Sequence, residues 1–277
     1  MMTPRVAAIH DISGFGRCSL TVAMPILSAM GIQCCPLPTA YLSTHTGGFT
    51  GFTFADLTDE MPLAAAHWAS LRIQFQAIYT GFLGSSRQMK IVEDFFETFR
   101  LPDTLLIIDP VMGDDGKIYT TYTPEMCEGM RRLSQQADVI TPNLTEAALL
   151  LGIPYAELPS GRSGFLDIVQ QLSLDGKRSV VLTGASTRPN YIGAAYFDSK
   201  TYKYDIIETR RTPKEFYGTG DVFASVLTGA LLRGSEMDDA VRQAVNFVQL
   251  CVERTAAEEL PMSEGVDFEP LLRHLIK

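Results

Sequence analysis

Short, continuous apolar runs alternate along this chain with stretches patterned for helix, and few architectures satisfy that rhythm. The runs are Val6–Ile9, Ile32–Cys35, Thr39–Leu42, Ala77–Thr80, Thr104–Ile108, Val139–Thr141 and Ser179–Thr183. Leu20–Met30, Ser85–Arg100, Pro124–Ala137, Leu144–Leu151 and Phe165–Leu174 read as helices, the first despite Pro25. Strands without polar alternation are covered on both faces, so the pattern predicts an α/β fold: a mostly parallel central sheet with helices on both faces. After Thr183 the pattern changes to Gly193–Phe197, a turn at Asp198-Ser199-Lys200, and Thr201–Ile207, which predicts an antiparallel edge hairpin. The last third is helical, with Met237, Val241, Ala244, Val245, Val248, Cys251 and Val252 on one apolar face. No linker, repeat or compositional break divides the 277 residues, so residues 1–277 are expected to form a single domain with a full core.

Charge and cysteine usage remove several classes of function. The formal net charge of −9 argues against nucleic acid as a partner, because a phosphate backbone requires a basic surface. No run approaches the ~20 apolar residues of a membrane span, and the opening MMTPRVAAIHD lacks the pattern of a signal peptide. Cys18, Cys34, Cys35, Cys127 and Cys251 are odd in number and have no metal-ligand spacing, which points to a reducing, cytoplasmic setting.

Chemistry concentrates where strands end and helices begin. In EFYGTGDVFASVLTGALLRG (215–234), Gly218-Thr219-Gly220-Asp221 stands at the start of a helix-patterned segment. A helix start leaves amides unpaired and carries partial positive charge, and glycines let an anion approach them closely. Taken alone, the same residues also satisfy a turn glycine and an acidic residue favoured by the helix dipole. Two further segments join it. LLIIDPVMGDDGKIY (105–119) ends a strand at Asp109 and runs into an acidic loop with Asp114, and DVITPNLTEAALLLG (138–152) ends one at Thr141 before a helix with Glu146 in its first turns. Carboxylates in those places share one edge of a parallel sheet, where α/β proteins bind ligands. Beside a phosphate they suit a hydrated Mg²⁺, which takes few carboxylates and keeps several waters. Ser43–Gly51, rich in glycine and hydroxyls, follows an extended run and reads as a substrate loop or as a flexible surface loop.

Absences narrow the field. The chain has no Gly-x-x-x-x-Gly-Lys-Ser/Thr phosphate loop, no His-Glu-x-x-His metal motif and no Gly-x-Ser-x-Gly nucleophile turn, and Gly14-Phe15-Gly16 lacks the third glycine of a dinucleotide fingerprint.

Together, Gly218–Asp221, Asp109–Asp114 and Thr141-Pro142-Asn143 with Glu146 resemble the ribokinase-like superfamily, and within it the vitamin B6 branch, the pyridoxal kinases. STHTG (43–47) is similar to that branch's Ser-Asn-His-Thr segment and YTGFLGS (79–85) to its Thr-Gly-Tyr segment. The similarity runs from about residue 6 to residue 255. It implies a ribokinase-like three-layer sandwich that phosphorylates the 5′-hydroxymethyl group of pyridoxal, pyridoxine or pyridoxamine, as a homodimer, with ATP and Mg²⁺ and with a monovalent cation left open. It implies Asp221 as the base, the amides of Gly218, Thr219 and Gly220 as the cradle for the transferred phosphoryl group, and Asp114 and Glu146 as organisers of Mg²⁺ and the ATP phosphates. Asp109 and Asn143 would support that corner, Thr183 would lie near the nucleotide, and Thr46 and Phe82 would face the pyridine ring.

Two positions depart from the B6 pattern. Asp11 stands where many pyridoxal kinases have serine, and Asp11-Ile12-Ser13-Gly14 resembles the hydroxymethylpyrimidine kinases of the same superfamily. Phe82 stands where tyrosine is common, keeping the stacking surface without the hydroxyl. A carboxylate near the vitamer's amine would favour pyridoxamine. The alternatives are a hydroxymethylpyrimidine kinase and a non-catalytic vitamer-binding protein on the same scaffold.

Overall fold

In a computed structural model, which describes residues 3–276, eight strands form one sheet. In chain order the principal elements are β1 (Arg5–Ile9), β2 (Ile12–Ser13), α1 (Leu20–Ala29), β3 (Gln33–Pro36), β4 (Ala40–Leu42), β5 (Phe54–Asp56), α2 (Glu60–Ser70), β6 (Ala77–Thr80), α3 (Ser86–Phe99) and β7 (Leu105–Ile108). They continue with β8 (Gly113–Asp114), β9 (Lys117–Ile118), α4 (Pro124–Ser134), β10 (Val139–Ile140), α5 (Leu144–Leu151), α6 (Gly161–Leu172), β11 (Ser179–Ala185), β12 (Tyr191–Phe197), β13 (Tyr204–Arg210), α7 (Thr219–Leu232) and α8 (Met237–Ala257). The main sheet runs β13-β12-β11-β10-β7-β6-β1-β3, and only the β11–β12 and β12–β13 pairings are antiparallel.

Strand alternation divides the core into two layers. Ala7, Ile9, Ile78, Leu106, Ile108, Ile140, Val180 and Leu182 face α3 to α6, where Phe75, Phe95 and Phe99 form an aromatic cluster. Val6, Ala77, Tyr79, Ile107, Val139 and Val181 face α1, α7 and α8. Helix α3 shows why such segments fold locally. Ser85 accepts from Gln88 N at 3.2 Å as its N-cap, and Met89, Val92, Phe95, Phe96 and Phe99 recur at three- and four-residue spacing on its buried face.

Several expectations need adjustment. The second hairpin strand starts at Tyr204 rather than Thr201, because Asp198 accepts from Lys200 N and from Thr201 Oγ1 and so extends the turn. Helix α6 begins at Gly161, before Phe165, and Phe247 joins the buried face of α8, where Val248 and Val252 are only partly buried. Helix α2 carries little periodic signal, since Met61 is its one fully buried side chain. Among the described residues, no helix is long and apolar enough to cross a membrane.

Candidate active site

Backbone register brings the strand ends level. Gly81 N donates to Ile9 O at 3.0 Å, Asp109 N to Thr80 O at 2.9 Å and Thr141 N to Ile108 O at 3.2 Å, so His10, Gly81, Asp109 and Thr141 follow one another along the carboxyl edge. The start of α7 meets this edge. Gly218 is its N-cap, with φ 78°, and a Cβ there would collide with the carbonyl oxygen of Arg17. The first helical bond runs from Val222 N to Gly218 O at 3.0 Å, which leaves the amides of Thr219, Gly220 and Asp221 without intrahelical acceptors. At Gly220 the space that a Cβ would enter is open, with no protein atom within 4 Å. Packing therefore requires glycine at 218 but places no such demand at 220.

Asp221, the third helical residue, carries the reactive-looking carboxylate. Burial raises its pKa to about 7, the neighbouring Asp11 adds to the rise, and the Ser19 N–H opposes it. Asp109 is raised too, by burial and then by the charge of Asp221, against a 2.9 Å bond donated by Thr141 Oγ1. Glu146 is raised well above the carboxylate range by burial and by Asp109. Three acids thus crowd the edge, and none of them owes its shift to a basic side chain.

Helix α5 opens with a reciprocal cap. Asn143 Oδ1 accepts from Glu146 N at 2.9 Å and Glu146 Oε2 accepts from Asn143 N at 2.8 Å. Glu146 Oε1 also accepts from Met112 N at 3.2 Å, and Asn143 Nδ2 donates to Gly113 O at 2.8 Å, so this cap anchors the β8–β9 hairpin. Thr183 lies next to it, its N–H bonded to Pro142 O at 2.9 Å, just before the bulge between Thr183 and Ala185.

At the opposite end of the edge, Asp11 is buried, with Oδ1 accepting from Ser19 Oγ at 2.6 Å and Oδ2 from Ser13 Oγ at 3.1 Å. The 43–51 loop is closed down by His45. Its Nδ1 accepts from Gly47 N at 3.0 Å, which leaves Nε2–H to donate to Ser263 O at 2.7 Å, and its ring packs against Phe49 and Tyr217. Thr46 is exposed at the tip of this loop. Phe82 is partly buried against the α3–α6 layer, 6.1 Å from the Tyr122 ring, and its carbonyl accepts from Thr39 Oγ1 at 3.3 Å. Gln88 fixes that corner, accepting from Gly84 N at 2.7 Å and donating to Thr39 O and Thr58 Oγ1 at 2.9 Å each.

A family model of phosphomethylpyrimidine kinases matches residues 25–265 of the chain. The chain belongs to this kinase family. Among solved structures, a protein of Bacteroides thetaiotaomicron assigned as a phosphomethylpyrimidine kinase and crystallised with pyridoxal is 43% identical, with a TM-score of 0.93 over 99% of this chain and 96% of its own. Pyridoxal kinase from Lactobacillus plantarum is 33% identical, with a TM-score of 0.90 over 99% and 97% of the two chains. A curated relative from Bordetella avium, a pyridoxine/pyridoxal/pyridoxamine kinase, is 28% identical over 255 residues, covering 88% of this chain and 82% of its own length. The ribokinase-like fold implied by the sequence resemblance is the one observed.

In this kinase the two acids assigned to metal differ in freedom. Both oxygens of Glu146 are held by backbone amides, whereas Asp114 is exposed on the β8–β9 hairpin, with Oδ1 accepting from Asp115 N at 2.9 Å. Among the described residues no group of three or more His, Cys, Asp or Glu side chains could hold a metal ion by itself. One exposed carboxylate beside one buried one is a donor set that Mg²⁺ accepts, since it takes few carboxylates and keeps waters and phosphate oxygens as its other ligands.

Sequence reasoning missed Tyr119, whose pKa is raised first by burial and then by the charges of Glu146, Asp114, Asp221 and Asp109. It also missed the C-terminal segment, where Arg17 pairs with Asp267 at 3.1 Å and with Glu269 at 2.8 Å, bracing the carbonyl beneath Gly218. The cavity over β13, about 480 Å³, lies apart from these carboxylates, and its arginines are already paired: Arg162 with Asp205, Arg188 with Glu208 and Arg242 with Asp238.

Proposed function

We propose that the protein transfers the γ-phosphoryl group of ATP to the 5′-hydroxymethyl group of a vitamin B6 vitamer, pyridoxal, pyridoxine or pyridoxamine. The observation that carries this reading is Asp221 with its pKa raised to about 7, on a helix start whose first amides are free, in a chain similar over nearly its whole length to a protein crystallised with pyridoxal.

The chemistry follows from positioning and charge. Phosphoryl transfer has a loose transition state, so the protein mainly aligns groups and stabilises negative charge. Asp221 accepts the proton of the vitamer's alcohol as oxygen attacks phosphorus, a contribution typically worth about 10²–10⁴-fold. The amides of Gly218, Thr219 and Gly220 receive the charge on the transferred group, and loss of one such donor typically costs about 10²–10³-fold. A serine cap would engage the amides that the phosphoryl group needs. Thr46 and Phe82 face the pyridine ring, and Asp11 sets its charge near the vitamer's amine. Asp109, Asn143 and Thr183 line the nucleotide side. Mg²⁺ would be held near Asp114 and Glu146 with the ATP phosphates, and supplies charge neutralisation when bound.

The chain acts as a homodimer in the cytoplasm, a reading supported by five free cysteines and by a small sheet, β2-β4-β5, that leaves Tyr41 and Phe54 exposed. Asp11-Ile12-Ser13-Gly14 and the family's own description favour a second reading, phosphorylation of a hydroxymethylpyrimidine. ADP release with Mg-ATP is the test, measured across the three B6 vitamers and hydroxymethylpyrimidine. Turnover of a B6 vitamer supports the first reading, turnover of the pyrimidine alone the second. Binding of a vitamer with no turnover of any would make the chain a non-catalytic binder.

A further inference from the structure

Beneath the start of α7 lies a buried polar seam that the proposed reaction does not use. Asp221, Ser225 and Thr228 are spaced i, i+4 and i+7, so they share one stripe of a helix otherwise lined by Val222, Val226, Leu227 and Ala230. Across from them is Tyr79, fully buried in β6, the strand ahead of Gly81. The Tyr79 hydroxyl lies beside the Ser225 side chain and near the carboxylates of Asp109 and Asp221; burial first, and then those charges, push its ionisation well above the ordinary range. His10 packs edge-on against the Tyr79 ring, with centroids 4.3 Å apart. Tyr79 Oη, Ser225 Oγ, Thr228 Oγ1 and both ring nitrogens of His10 are buried without a well-formed hydrogen bond to a protein group.

Roughly nine in ten buried polar groups or more are hydrogen-bonded, so a group of poorly satisfied polar atoms where β6 packs on α7 calls for a further partner. The site is polar and offers several donors and acceptors, the conditions under which water is retained inside a protein. The geometry points to Tyr79 as a positioning residue for Asp221, acting from below the helix start through Ser225 and buried water. This rests on Asp221 being the base of the proposed kinase reaction. A neutral phenol is a donor, and one that reaches a carboxylate through a short polar chain fixes its orientation and favours its charged form.

The groups that face Asp221 are Asp11, Cys18 and the Ser19 amide from the corner before α1, Asp109 from the end of β7, Tyr119 from beyond β9, and Tyr79. Asp11 and Asp109 are carboxylates that oppose a charge on Asp221, so removing the Tyr79 phenol takes away one of the neutral donors beside them. In the full-length enzyme, Tyr79→Phe is expected to lower kcat about tenfold with KM for ATP and vitamer within about twofold, a positioning loss rather than a binding loss. The acid limb of the kcat–pH profile should move to higher pH by about half a unit or more. Ser225→Ala should shift both in the same direction, and the double variant should be little worse than Tyr79→Phe. Carbon-13 titration of the Asp221 carboxyl reads the same upward shift without turnover, so it tests the seam even if wild type phosphorylates no vitamer, an outcome that would overturn the kinase reading separately. A Tyr79→Phe enzyme with an unchanged profile and an unchanged Asp221 titration overturns the proposal. So does a parallel loss of kcat and melting temperature with no pH shift.

Discussion

Gly218 and Arg17 are in contact so close that the carbonyl of Arg17 occupies the place of a side chain at 218. The two residues are 201 positions apart, and the contact seats the start of α7, the proposed phosphoryl cradle, on the loop that follows β2. Gly218→Ala should therefore lose both its left-handed conformation, at a cost of roughly 1–2 kcal/mol, and its seat. A chemical denaturation curve shifted to lower denaturant, with kcat reduced by more than the folded fraction explains, is the expected result.

Gly220 behaves oppositely. Since no protein atom would meet a Cβ there, Gly220→Ala should leave the fold intact or stabilise it by about 0.5–1 kcal/mol. The added methyl group would block the amides from the phosphoryl group, and kcat should fall on the order of 10²-fold. Denaturation and steady-state kinetics on the same preparation separate the two effects.

Asp221 gives a pH prediction of definite sign. With its pKa raised to about 7, activity should fall as pH drops through 7, because the protonated carboxyl cannot take the alcohol proton. Stability should run the other way. The folded state holds this proton at pH values where the unfolded chain has released it, so the group's contribution is full below the ordinary carboxylate range and is lost as pH rises through 7. Asp221→Asn should lower kcat by about 10²–10⁴-fold while raising the melting temperature more at pH 8 than at pH 5. Scanning calorimetry at both pH values checks the second half.

The reciprocal cap of Asn143 and Glu146 ties the start of α5 to the hairpin on the proposed nucleotide side. Asn143→Ala should cost about 0.5–2 kcal/mol and release the Gly113 carbonyl, loosening the hairpin that carries Asp114. The expected kinetic result is a raised KM for ATP with KM for the vitamer unchanged, read from two substrate titrations.

Asp11 tests vitamer choice. Its carboxylate accepts from two serine hydroxyls, which hold it in place, and burial raises its pKa. Asp11→Ser should lower the ratio of kcat/KM for pyridoxamine to that for pyridoxal. An unchanged ratio would remove Asp11 from recognition of the amine.

Much of this molecule could be read from its sequence, and the boundary is physical. Buried parallel strands announce themselves as apolar runs, and a carboxylate at a strand end, as at Asp109, can be placed on the sheet edge from local pattern alone. Helix α2, mostly exposed, leaves no comparable stripe, and β8 and β9 at two residues each are too short for any periodicity. Residues whose roles depend on partners far along the chain were equally silent. His45 reaches Ser263, Arg17 reaches Asp267, and Tyr79 meets a helix that starts 140 residues later. No local rule encodes such meetings.

The His45 junction ties the segment around Ser263 to the loop proposed to meet the vitamer. Its imidazole joins the loop bearing Thr46 to the Ser263 carbonyl and leans on Tyr217, the residue just ahead of Gly218. Loop, Ser263 segment and the start of α7 are consequently joined through one imidazole, and on the proposed assignment free energy spent in closing the loop over a vitamer would be felt at that helix start. A truncation before Ser263 would then read out as a failure of commitment, with vitamer bound and released faster than it is phosphorylated.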